Sequence, residues 1–194
     1  MRVMEILAGT TNTIARGEVM QLMNCNDPNT TEERYLDVIR SKTATLFEAA
    51  TQLCAVIGGQ SNTVETAMAR YGMHLGLAFQ ITDDALDYSG DTETLGKNVG
   101  DDLAEGKPTL PLIHAMRTGN ATERDLIRQA IVDGGLDKLD DVMDIIESTG
   151  AITYTAGRAE QEANQARSAL SAIPDSPYKQ ALEALAHFSV HRSH

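Results

Sequence analysis

The stretch Phe79-Gln80-Ile81-Thr82-Asp83-Asp84-Ala85-Leu86-Asp87 places three carboxylates at the end of a long run of apolar residues. Upstream, the apolar residues recur on all sides of a helix and do not alternate as they would in a half-buried strand. A helix that is apolar all round is buried, typically at the centre of a helical bundle. Good helix formers dominate the rest of the chain, so the sequence predicts an all-α protein.

The three carboxylates have the spacing of a metal site. Asp83 and Asp87 are four residues apart and therefore share one helical face, with Gln80 on the same side. Buried acids are costly unless something neutralises them, and the helix C-terminus disfavours negative charge. Oxygen ligands suit Mg²⁺, so we expect Asp83, Asp84 and Asp87 to bind this ion. The residues alone leave open a solvated acidic face.

Lysines follow the acids in a glycine-rich stretch between Ser89 and Pro108. Lys97 and Lys107 each lie beside glycine, and lysine is a mobile point charge suited to phosphate oxygens. Metal-binding carboxylates next to such lysines form an electrophilic site for a leaving diphosphate. Lys42 and Thr43 lie inside a predicted helix. Taken alone, each of these two residues, like Lys97 and Lys107, also fits an ordinary surface side chain.

A second Asp-Asp-x-x-Asp sequence occurs at Asp140, Asp141 and Asp144. The apolar residues around it form one stripe of an amphipathic helix, and no lysine-containing loop follows. We therefore expect these three acids to lie on a solvated face.

Composition excludes several classes of function. The net charge of −12 and the scattered lysines and arginines argue against nucleic-acid binding. No run approaches the roughly 20 apolar residues of a membrane-spanning helix, and the start lacks a signal peptide, so we expect a cytoplasmic protein. Cys25 and Cys54 lack metal-ligand spacing and are interpreted as ordinary thiols.

Helices are predicted over residues 3–23, 31–57 (opened by a capping box at Thr30 and Glu33), 62–88, 109–117, 122–132, 136–148, 151–172 and from the Pro177 break to 190.

These motifs together resemble the trans-isoprenyl (polyprenyl) diphosphate synthase family. Residues 79–87 match its second aspartate-rich motif, and Gly96-Lys97 with Gly100 and Asp102 resemble the segment after it. The similarity covers essentially the whole chain and implies an isoprenoid-synthase-type helical bundle, as a single domain over residues 1–194. Further matching segments are Gly17-Glu18 with Gln21, Lys42-Thr43-Ala44, and Glu105-Gly106-Lys107-Pro108.

The resemblance also implies a reaction. An allylic diphosphate ionises with the help of Mg²⁺, isopentenyl diphosphate attacks the carbocation, and a proton is lost. Asp83 resembles a direct Mg²⁺ ligand, with Asp84 and Asp87 in or beside its coordination shell. The residues that would hold the allylic diphosphate are Lys42, Lys97 and Lys107, and those that would face the reacting atoms are Lys42, Thr43, Gln80 and Lys97. Gln21 would support the ligands, Arg192 resembles a near-terminal arginine without an assigned role, and members of the family usually form homodimers.

One half of the family's site has no counterpart in the sequence. The first aspartate-rich motif and the residues that bind isopentenyl diphosphate are absent, so we expect a bundle truncated at its N-terminal side, with Met1 at an internal position of a longer chain. Such a chain would not catalyse elongation alone, and apolar faces of the helix bearing Asp83 would be uncovered. The alternatives are a non-catalytic partner subunit of a prenyl synthase and a class I terpene cyclase; the retained acids and lysines favour a prenyltransferase.

Overall fold

A computed structural model describes residues 1–89 and 99–192, and all regular structure within these residues is helical, as predicted. No helix in these ranges is long and apolar enough to cross a membrane. The helices are α1 (Arg2–Asn24), α2 (Glu32–Ile39), α3 (Thr45–Ile57), α4 (Asn62–Leu86), α5 (Asp101–Ala104), α6 (Leu110–Thr118), α7 (Ala121–Asp133), α8 (Leu139–Ser148), α9 (Ala151–Ala169) and α10 (Pro177–His191), with single 3₁₀ turns at Leu136–Lys138 and Leu170–Ala172.

Local capping explains where α2 begins. The hydroxyl of Thr31 accepts a hydrogen bond from the backbone N–H of Arg34 at 3.2 Å, which satisfies one of the free donors of the first turn. The predicted capping box at Thr30 is therefore wrong by one residue. The Thr30 hydroxyl is buried and has no hydrogen-bond partner among the described residues.

A π-helical segment, Arg40–Ala44, joins α2 to α3, where the sequence predicts one continuous α-helix. The backbone N–H of Thr45 bonds to the carbonyl of Arg40, five residues earlier, and the Thr45 hydroxyl donates to the same carbonyl at 2.9 Å. Such single π turns often occur at functional sites. Lys42 and Thr43 both lie in this segment.

The packing divides the chain into two compact units, each made of separate stretches of sequence. The first unit contains residues 1–18, 37–80 and 158–192. Its core is formed by Tyr71 and Leu75 of α4 with the partly buried Phe47, Met68, Ile173 and Leu182 and the buried Ala166, Ala169, Leu170 and Ala186.

The second unit contains residues 19–36 and 81–157 among those described. Its core gathers side chains from the turn after α4 and from α5 to α9, among them Tyr88, Leu103, Leu112, Ile127, Ile131, Val142 and Ile146. The single-domain organisation remains a prediction.

The apolar side chains of α4 are covered, contrary to expectation. Leu75, Leu77, Ala78, Ile81 and Ala85 are at most 6% exposed, because the described helices of this chain already bury them. Large exposed apolar side chains occur on several other helices, among them Leu22 and Met23 of α1, Ile57 of α3 and Phe188 of α10.

Candidate active site

In the second unit, the end of α4 carries the three acids in a largely buried setting. Asp84 is 3% exposed, and Asp83 and Asp87 are partly buried. The backbone N–H of Asp87 bonds to the carbonyl of Asp83 at 3.1 Å, so Asp87 keeps the helical register one residue beyond α4. A solvated acidic face does not describe this arrangement.

Asp84 is held by a tyrosine. The hydroxyl of Tyr35, on α2, donates to Oδ2 of Asp84 at 2.6 Å, and Tyr35 is itself 5% exposed. Burial, and then the negative charge of Asp84, raise the pKa of Tyr35 well above its usual value. The hydrogen bond offsets part of the cost of burying the carboxylate. Sequence reasoning missed this pair, because Tyr35 fits an apolar helical stripe.

Asp87 is bound by the start of α5. Its Oδ2 accepts from the backbone N–H of Asp102 at 3.1 Å, and its carbonyl accepts from the N–H of Gly100 at 3.0 Å. Gly100 has a φ of 83°, which only glycine adopts readily. Burial, followed by the charge of Asp102, raises the pKa of Asp87 to about 6. Negative charge is therefore concentrated at this end of α4.

Lys107 extends the same network. Its Nζ lies 3.0 Å from Oδ1 of Asp102 and 2.7 Å from Oε2 of Glu105. Burial alone would lower the pKa of Lys107, but the hydrogen bond to Glu105 and the charge of Asp102 outweigh it and raise the pKa above its usual value. Lys107 thus stays protonated beside the acids. Lys97 lies outside the described residues.

The donor set of the second unit suits a magnesium ion that also binds phosphate. Within the described ranges, no three His, Cys, Asp or Glu side chains converge into a ready-made metal cage. Mg²⁺ is usually held by one or two carboxylates, with waters and substrate phosphates in its remaining positions. Burial, and then the charge of Asp102, raise the pKa of Asp87, and a bound cation would offset both effects.

The first unit holds the other candidate residues together. The hydroxyl of Thr43 donates to Oε1 of Gln80 at 3.0 Å, which joins the π segment to α4. The Nζ of Lys42 lies 3.2 Å from Oε2 of Glu18 on α1. The π turn thus presents two adjacent polar side chains toward different helices of this unit.

Gly17 allows the close approach of α1 to the π segment. A Cβ at Gly17 would lie 2.6 Å from the backbone N of Lys42 and 2.9 Å from the carbonyl carbon of Ser41. Only a residue without a side chain fits at this distance. Gly17 was matched as part of a motif, and the structure supplies the physical reason for it.

Arg192 contacts α4 at Phe79, next to Gln80. Its Nη2 donates to the carbonyl of Phe79 at 3.0 Å, and its guanidinium lies 4.0 Å from the centroid of the Phe79 ring. The cation–π contact and the hydrogen bond hold the residue next to Gln80. Gln21 is partly buried on α1.

The second Asp-Asp-x-x-Asp sequence lies at the surface of α8. Asp140, Asp141 and Asp144 are all exposed, while Val142, Ile145 and Ile146 are buried. The predicted solvated face is confirmed, so equal spacing leads to opposite environments in α4 and α8.

Comparisons with known proteins point in one direction. A family model described as polyprenyl synthetase matches residues 1–149. The octaprenyl diphosphate synthase of Haemophilus influenzae is 52% identical over 195 residues, which cover 100% of this chain and 59% of that protein. The octaprenyl diphosphate synthase of Escherichia coli K12 is 50% identical over 193 residues, covering 99% of this chain and 60% of that protein. The chain thus spans about 60% of the length of these relatives.

Solved structures agree with the sequence relatives. A polyprenyl synthase from Caulobacter crescentus CB15, crystallised with calcium and isoprenyl diphosphate, superposes with a TM-score of 0.95 at 42% identity, covering 100% of this chain and 60% of that one. A decaprenyl diphosphate synthase from Rhodobacter capsulatus gives a TM-score of 0.92 at 42% identity, covering 100% and 60% respectively. The predicted isoprenoid-synthase-type fold is confirmed.

Proposed function

The chain belongs to the polyprenyl synthetase family, and from this membership we propose that it supplies the metal- and diphosphate-binding part of a prenyltransferase active site. The complete site would extend an allylic diphosphate with isopentenyl diphosphate. The observation that carries the proposal is the partly buried network at the end of α4, in which Asp87, Asp102 and Lys107 are linked by hydrogen bonds. Acids and a lysine in this arrangement suit a metal-bound diphosphate.

The residues have distinct roles in this proposal. Asp83, Asp84 and Asp87 hold Mg²⁺, and Lys42, Lys97 and Lys107 bind the diphosphate of the allylic substrate. The bound ion would neutralise charge on the departing diphosphate. Thr43 and Gln80, which are hydrogen-bonded to each other, orient their dipoles toward the carbocation. The apolar side chains around α4 exclude water, which would otherwise capture that cation.

The identity of the relatives supports a long-chain product. Proteins that are 50–52% identical to this chain are octaprenyl diphosphate synthases, so we place the activity of the complete active site in that class. Because the chain spans about 60% of their length, we expect it not to elongate a prenyl chain alone. The family resemblance supports a homodimer, and the two unpaired thiols suit a cytoplasmic location.

A role as a non-catalytic partner subunit is the less favoured hypothesis for this chain. Such a subunit has no chemical need for a carboxylate that is 3% exposed at Asp84, nor for a lysine placed between two acids. Each of these features is costly to bury and is explained by ligand binding. The polyprenyl synthetase match likewise favours a synthase over a terpene cyclase.

Calorimetric titration of pyrophosphate in the presence of MgCl₂ tests the proposal. We expect saturable binding by the chain and a loss of at least tenfold in affinity in Asp83→Ala, because a direct ligand is removed. Asp140→Ala is the matched control, since Asp140 holds the same motif position on the exposed face of α8. Equal affinity in the two variants, or no Mg²⁺-dependent binding at all, would rule out the proposed site.

A further inference from the structure

The hydrogen bond between Tyr35 and Asp84 joins two buried groups that are 49 residues apart in the chain. Consecutive helical residues point about 100° apart, so Asp84 lies beside the row formed by Asp83 and Asp87, roughly 60° around the helix from Asp87. Tyr35, on another helix, holds one of its carboxylate oxygens. A carboxylate is planar, so a donor that fixes one oxygen also fixes the direction of the other.

The helix that carries Tyr35 is itself held in place. Glu32, one turn before Tyr35 on α2, accepts hydrogen bonds at Oε2 from the hydroxyl of Tyr154 at 2.8 Å and from Nη1 of Arg117 at 3.3 Å. Tyr154 lies on α9 and Arg117 on α6, and the guanidinium of Arg117 lies 4.9 Å from the centroid of the Tyr154 ring. The Tyr35 hydroxyl is thus supported by a fixed helix, as a residue that orients a ligand must be.

We propose that Tyr35 is a positioning residue that orients the Asp84 carboxylate toward the bound metal and diphosphate. This inference rests on the proposed function of the acids. Tyr35 does not touch the substrate in this account and acts through Asp84 alone. The competing explanation is that the hydroxyl merely satisfies a buried carboxylate, in which case it stabilises the fold without affecting ligand affinity.

The first unit offers a matched control. Tyr71 is also buried, at 0% exposure, and its hydroxyl donates to the carbonyl of Leu182 at 2.9 Å. Tyr71→Phe removes a buried tyrosine hydroxyl, as Tyr35→Phe does, but one that donates to a backbone carbonyl and not to a carboxylate. A general loss of stability would affect both variants, whereas a positioning role would distinguish them.

The experiment measures the affinity for pyrophosphate in MgCl₂ by calorimetry, with melting temperatures recorded for each protein. We expect Tyr35→Phe to weaken binding by about tenfold or more, as is usual when a partner behind a metal ligand is removed. Tyr71→Phe should stay within about twofold of the parent chain. In an Asp84→Asn background, Tyr35→Phe should have no further effect on affinity, because the residue through which it acts has been altered.

The outcomes separate this inference from the function on which it rests. No Mg²⁺-dependent binding by the parent chain overturns both. Binding that Asp83→Ala weakens but Tyr35→Phe leaves unchanged overturns the positioning role alone, as does an additive effect in the double variant. If Tyr35→Phe is too unstable to titrate, Tyr154→Phe replaces it in the test, because it removes a hydrogen bond to Glu32 and so loosens α2 without contacting Asp84. Weakened binding of pyrophosphate by Tyr154→Phe supports the inference, and unchanged binding overturns it.

Discussion

Replacing Gly17 by alanine would force a methyl group into the backbone of the π segment. The new Cβ would lie 2.6 Å from the N of Lys42 and 2.9 Å from the C of Ser41, far inside van der Waals contact. These atoms belong to the main chain and cannot rotate away. Either α1 or the segment that carries Lys42 and Thr43 must move.

The size of the effect follows from two opposing contributions. Alanine gains about 1 kcal/mol over glycine in a helix interior, while overpacking against a fixed partner costs about 1–3 kcal/mol or more. Because the contacts are with backbone, we expect the cost to fall at the upper end, giving a net loss of about 1–2 kcal/mol. For a chain of this size, that loss corresponds to a decrease of roughly 2–8 °C in melting temperature.

Gly9 supplies the control on the same helix. A Cβ there meets no atom of residues 1–89 or 99–192 within 4 Å. Gly9→Ala should therefore show only the helix-propensity gain of about 1 kcal/mol and a rise of roughly 2–4 °C in melting temperature. Urea unfolding and calorimetry of the two variants measure the contrast. Gly17→Ala should also bind Mg²⁺-pyrophosphate more weakly, because the π segment is displaced.

A Gly17→Ala variant as stable as Gly9→Ala would refute the reasoning. That result would mean that α1 and the π segment are not in backbone contact. A destabilised variant with unchanged ligand affinity would keep the contact but separate it from the function of Lys42.

Two further predictions concern the acids and the lysine of the second unit. The pKa of Asp87 is raised from 3.8 to about 6, so the folded state holds this proton more tightly and the metal-free chain loses stability as the pH rises from about 4 to above 6. After allowance for partial exposure, Asp87→Asn should stabilise the metal-free chain by about 1 kcal/mol at pH 7.5 and hardly at all at pH 4. Urea unfolding at the two pH values measures this difference, and destabilisation at pH 7.5 would contradict the prediction. Lys107→Met should weaken Mg²⁺-pyrophosphate binding by at least tenfold, the usual loss for a hydrogen bond to a charged group. Lys138→Met, whose lysine pairs with Asp133 at 3.4 Å, should leave calorimetric affinity unchanged, and equal losses in the two variants would argue against phosphate binding by Lys107.

Most helices could be predicted from the sequence, because their signals are local. The predicted ranges 3–23 and 62–88 correspond to Arg2–Asn24 and Asn62–Leu86, since apolar periodicity and glycine or proline breaks act within a few turns. The π segment was missed because Arg40–Ala44 has ordinary helical residues. Its geometry is accompanied by a backbone contact with Gly17, far away in sequence.

The sequence by itself favoured burial for the acids of α4 and a solvated face for those of α8. Both motifs have the same spacing, but the helix around Asp83 is apolar all round whereas the apolar residues around Asp144 form one stripe, and this difference distinguishes them. Only the tertiary structure decided which partners hold them: Tyr35 on Asp84, and the Asp102 backbone on Asp87. Periodicity reports how a residue faces its own helix, whereas a hydrogen bond between distant segments depends on how those segments pack, which no local pattern encodes.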